Sequence, residues 1–253
     1  MFLKKISTFI CPLLLAIGLE LFSYNISWIY YLGGLMVLLL LFFLKFLIKE
    51  KFFSRDFWGL AILPLLFFLA TVGFLLLVSS GALKQFAVVL FALIFFVYLE
   101  NIYTFFYNAL QYQAYSFENL SAFLNLLIFF LSIINLAAFN VFLNLPIWAL
   151  SLILLVIISL LIFQALWVNK INNKFRYVYL LVFDLILLEF FWCLSFLPSN
   201  FYIMGIVMSV IFYLMWGLFK AKLNDQVDKK IFWSYIAISL ILLLGVVLTS
   251  RWT

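Results

Sequence analysis

The run Leu38-Leu39-Leu40-Leu41-Phe42-Phe43-Leu44 leads directly into Lys45, Lys49, Lys51 and Arg55. Seven consecutive apolar residues lack the alternation of a half-buried strand. The basic cluster that ends the run marks a boundary between an apolar and an aqueous environment. The same unit, a long apolar stretch closed by a polar break, repeats through the whole chain.

Of the 253 residues, 70% are hydrophobic and 9% charged, against roughly 25% charged in soluble domains. So few polar residues cannot cover a water-facing surface, so lipid must cover most of it. A bilayer core about 30 Å thick needs about 20 apolar residues per helix. Nine such stretches fall at 5–23, 28–48, 57–79, 83–105, 118–140, 147–168, 177–196, 201–220 and 231–250. Backbone groups in lipid must be satisfied internally, and the sequence predicts an all-α, polytopic fold of four antiparallel hairpins and a final helix.

The cations orient these helices. Lys4, Lys5, Lys45, Lys49, Lys51, Arg55, Lys170, Lys174, Arg176, Lys220, Lys222, Lys229 and Lys230 occupy alternate breaks, and only Lys84 and Arg251 lie in the others. The positive-inside rule then puts the N-terminus in the cytoplasm and Thr253 outside. The expected location is integral to the cell (inner) membrane. The outer turns, Tyr24 to Ser27, Ser80 to Ala82, Val141 to Pro146 and Leu197 to Asn200, are too short for an external domain.

A single transmembrane domain over 1–253 is expected, with repeated hairpins at 1–54, 55–115, 116–173 and 174–228 before a final helix at 229–253. Pro12 and Pro64 occupy matching places in helices one and three, and Pro146 and Pro198 in two outer turns. Lys4-Lys5 before an apolar run has the look of a leader, but no small-x-small site follows near Glu20, so helix one is expected to be retained.

Histidine is absent, which excludes His-based haem, zinc and triad chemistry. Cys11 and Cys193 lie at different depths and read as apolar packers. No catalytic residue, metal site or cofactor is expected. Four acids, Glu20, Glu100, Asp184 and Glu189, fall inside predicted helices. An intramembrane acid points to a site facing protein or water; the alternative is a protonated acid that hydrogen-bonds between helices. Asp184 and Glu189 lie near the middle of helix seven, about 140° apart around it.

From Glu100 to Tyr115 the helical wheel gathers Glu100, Asn101, Tyr103, Thr104, Tyr107, Asn108, Gln111, Tyr112 and Tyr115 on one half. This face carries almost no charge and fits either a neutral ligand such as a sugar or lipid headgroup, or an interfacial aromatic belt. Candidate ligand-binding residues are therefore Asp184, Glu189, Glu100, Asn101, Tyr103, Tyr107, Asn108 and Gln111.

Asn224-Asp225-Gln226-Val227-Asp228 resembles the NDxxD magnesium motif of membrane prenyltransferases of the UbiA type. The resemblance covers five residues and implies a lipid-modifying enzyme. The family's first aspartate-rich motif, between helices two and three, is represented here only by Asp56.

The expected function is a membrane component without catalytic machinery: a scaffold, assembly or permease-like part. A carrier for lipids or glycans that uses the intramembrane acids is the alternative, and a prenyltransferase-type enzyme is the third. Membrane lipid and other membrane subunits are the expected partners, with no nucleic acid, because topology accounts for the net charge of +6.

Overall fold

The computed structural model describes residues 2–24, 29–108, 115–170, 176–197, 200–223 and 229–249. Among them the chain forms nine helices and no strand. They are α1 (Phe2–Tyr24), α2 (Ile29–Leu47), α3 (Arg55–Leu77), α4 (Gly81–Tyr107), α5 (Ser116–Leu143), α6 (Ile147–Val168), α7 (Arg176–Ser195), α8 (Phe201–Leu223) and α9 (Lys229–Thr249). Each coincides with one of the nine apolar stretches. Seven are long and apolar enough to cross a membrane, while α2 and α9 hold shorter apolar stretches, Tyr31–Leu47 and Phe232–Val246. The two shorter ones are bordered by lysines, Lys45 at the end of α2 and Lys229-Lys230 at the start of α9.

Local signals explain the helix ends. The Ser54 side chain accepts from the Phe57 amide at 3.2 Å, capping α3, and Asp56 sits in its first turn, where a carboxylate complements the helix dipole. After α5, Asn144 takes a left-handed φ of 51°, a conformation Asn tolerates better than most residues. The Asn140 amide donates to the Leu145 carbonyl at 3.0 Å, and the carbonyl of Pro146, just before α6, accepts its first helical bond from the Leu150 amide at 3.3 Å.

The chain divides into two compact units, one of Met1–Leu124 with Gln164–Ile171 and the other of Asn125–Phe163 with Asn172–Thr253. In the first, α1 packs on α2, α3 and α4. Its core is aromatic: Phe91 stacks on Phe67 at 5.0 Å and on Phe95 at 5.4 Å. Gly59 of α3 leaves room for the Trp167 indole, which a Cβ there would overlap, and Trp167 Nε1 donates to Asp56 Oδ1 at 2.8 Å. In the second unit α8 packs on α7 and α9. Phe129 stacks on Phe212 at 4.6 Å, and Gly205 admits Ile134 of α5.

Both proline-containing helices continue through Pro12 and Pro64. A helical proline removes the hydrogen bond to the carbonyl four residues earlier. For Pro64 that carbonyl belongs to Leu60, and the buried Tyr98 hydroxyl of α4 donates to it at 2.7 Å. The outer faces are apolar: Leu38 and Phe42 of α2 are each 68% exposed. In water such surfaces would associate; facing lipid they are in their proper solvent.

Candidate functional site

In the first unit, Tyr107 in the last turn of α4 is a meeting point for α1, α2 and the segment after α2. Lys4 Nζ donates to the Tyr107 hydroxyl at 2.5 Å, which itself donates to the Leu47 carbonyl, the last of α2, at 3.1 Å. Lys49 Nζ donates to the Phe106 carbonyl at 2.9 Å, satisfying a carbonyl at the end of α4 with a cation that suits the dipole there. The two ammonium groups lie over the same Tyr107 ring, at 4.6 Å for Lys4 and 4.5 Å for Lys49 from its centroid. Tyr103, buried, stacks on that ring at 5.4 Å.

One helical turn further into α4, Glu100 Oε2 accepts from Thr8 Oγ1 of α1 at 3.0 Å. Asn101 is engaged at both ends of its amide: Nδ2 donates to the Val97 carbonyl at 3.0 Å, and Oδ1 accepts from Ser116 Oγ at 2.7 Å. Asn108 ends α4, its amide donating to the Thr104 carbonyl at 3.0 Å. Gln111 and Tyr112 lie outside the described residues. The face therefore differs from the nearly uncharged one that the α4 sequence implies. Its cations come from Lys4 and Lys49, which are 103 and 58 positions away along the chain, and a helical wheel of one segment cannot show them.

In the second unit, Asp184 of α7 is 7% exposed, and its Oδ2 accepts from Ser159 Oγ of α6 at 2.7 Å. Oδ1 is buried and has no hydrogen-bond partner. Glu189 does not join it: five residues on along α7, it is exposed, as their separation around the helix requires. Glu20 is half-buried. A cavity of about 90 Å³, lined by Asn140, Phe191, Ser195, Phe201 and Met204 among others, holds no acid or base. Small-molecule pockets are typically about 300–1,000 Å³.

Asp56, the one early-loop counterpart of the aspartate motif, is occupied by Trp167, and Asn224 to Asp228 lie outside the described residues. Among the described residues no three His, Cys, Asp or Glu side chains come together. The partners that sequence reasoning missed are Thr8, Ser159, Lys4, Lys49 and Tyr98. Tyr98 alone had a signal in the sequence, because Pro64 guarantees an orphan carbonyl within its helix.

These features define a multi-helix integral membrane protein. The chain belongs to the family described as "Protein of unknown function (DUF5656)", whose model matches residues 12–249. No curated protein and no solved structure matches it.

Proposed function

We propose that this protein is a nine-span membrane component, N-terminus in the cytoplasm and C-terminus outside, that serves as a non-catalytic scaffold, assembly or permease-like subunit. The observation that carries this reading is the use of the intramembrane acids. Glu100 and Asp184 accept hydrogen bonds from Thr8 and Ser159 of neighbouring helices. Such bonds hold helices together where lipid offers no hydrophobic drive for association. The test is chemical crosslinking in the native membrane, followed by purification of the full chain and mass spectrometry. A membrane subunit recovered in fixed stoichiometry supports the reading; a lone chain that moves solute in proteoliposomes contradicts it.

A carrier reading draws on one further observation, the buried and unpartnered Oδ1 of Asp184. A proton or a small cation would complete that carboxylate. Solute uptake driven by a proton or sodium gradient, and lost on Asp184→Asn, would establish the carrier over the scaffold.

A further inference from the structure

We infer that Lys4, Lys49 and Tyr107 form a binding site for the phosphate of an anionic lipid headgroup at the end of α4. The inference rests on the membrane placement of these helices given under Proposed function. Two cations share one aromatic ring, which holds them within about one Debye length, ~10 Å, of each other. Neither lysine is paired with a carboxylate among the described residues, and the nearest acid along α4, Glu100, is bonded to Thr8. Two like charges held together without a counter-ion attract an anion.

Each lysine also has donors to spare. An ammonium carries three N–H groups; Lys4 spends one on Tyr107 and Lys49 one on the Phe106 carbonyl. The remaining donors match the acceptor oxygens of a phosphate. A lipid is favoured over a free anion because the cations adjoin lipid-facing apolar surface. Lys4 Nζ lies 5.4 Å from the ring of Phe46, which is 40% exposed, and Phe42, one helical turn along the same face of α2, is 68% exposed. Acyl chains of a lipid held at Lys4 run along that face. Basic sites between helices at a membrane surface are a recurrent way of holding anionic headgroups.

The test is native mass spectrometry of the full chain in detergent with added phosphatidylglycerol, phosphatidylcholine as the neutral comparison, and inorganic phosphate as competitor. The wild type should retain phosphatidylglycerol over phosphatidylcholine. The double variant Lys4→Gln/Lys49→Gln should lose that preference by about 30-fold, and Lys4→Arg/Lys49→Arg, which keeps both charges, should retain most of it. Lys84→Gln, in a different break of the sequence, should leave it unchanged. Equal retention of both lipids by the wild type, or undiminished retention by the glutamine variant, overturns the site. Full displacement by millimolar phosphate overturns the lipid assignment. Retention in detergent does not depend on which side the N-terminus faces, so this result and the topology can fail separately.

Discussion

The hydroxyl of Tyr98 lies 2.7 Å from the carbonyl oxygen of Leu60, the carbonyl that Pro64 deprives of its helical donor. Tyr98 is 1% exposed and comes from α4, so one side chain both repairs the broken ladder of α3 and fixes α3 against α4. In the hydrocarbon no water is present to do this. Proline in a spanning helix is thus coupled to a specific residue of its neighbour.

Tyr98→Phe removes the donor and leaves a buried carbonyl unsatisfied, at an expected cost of about 1–3 kcal/mol. Pro64→Ala restores the amide, so the double variant should recover at least half of that loss. Thermal unfolding of the four proteins of this cycle measures the coupling; strictly additive effects would show that the two residues act independently.

The helices were legible because each is a long apolar stretch closed by polar residues, and seven of them are long enough to cross a membrane. The pairing of side chains was not. Glu100 and Asp184 are visible in the sequence as anomalies, but Thr8 and Ser159 are common hydroxyl residues. Thr8 also bonds the Lys5 carbonyl of its own helix at 2.7 Å, as Ser151 and Thr71 bond within theirs, so nothing local marks it as a partner of Glu100. The apparent neutrality of the Glu100 face misled for the same reason. Its charge is brought by Lys4 and Lys49, whose positions in the sequence explain orientation equally well. The i,i+5 spacing of Asp184 and Glu189 already separates them around α7, and the exposed Glu189 beside the buried Asp184 follows that spacing.

Asp184→Asn should fold nearly as well as the wild type, because an amide oxygen still accepts from Ser159 Oγ; interhelical bonds of this kind contribute about 0.6 kcal/mol on average. Asp184→Lys places a cation among buried groups and should cost about 3 kcal/mol or more. The fraction of monodisperse protein on size exclusion distinguishes the two. Equal loss in both would contradict a purely hydrogen-bonding acid.

Gly59→Ala should destabilise the first unit by about 1–3 kcal/mol, since the new Cβ overlaps the Trp167 indole and pushes it from Asp56. Gly33→Ala in α2, where nothing lies within 4 Å of the added carbon, should be neutral or stabilise by up to about 1 kcal/mol. A thermal melt of each variant gives the comparison; a neutral Gly59→Ala would mean that α3 and Trp167 are not in close contact.

Nine spans require the two ends of the chain to lie on opposite sides of the membrane, and cysteine labelling with a membrane-impermeant maleimide reads this directly. With Cys11 and Cys193 replaced by alanine, single cysteines are placed at Lys5, Lys51, Ser80 and Arg251. Ser80→Cys and Arg251→Cys should label in intact cells, and Lys5→Cys and Lys51→Cys only after permeabilisation. Labelling of positions 5 and 251 from the same side would contradict the account.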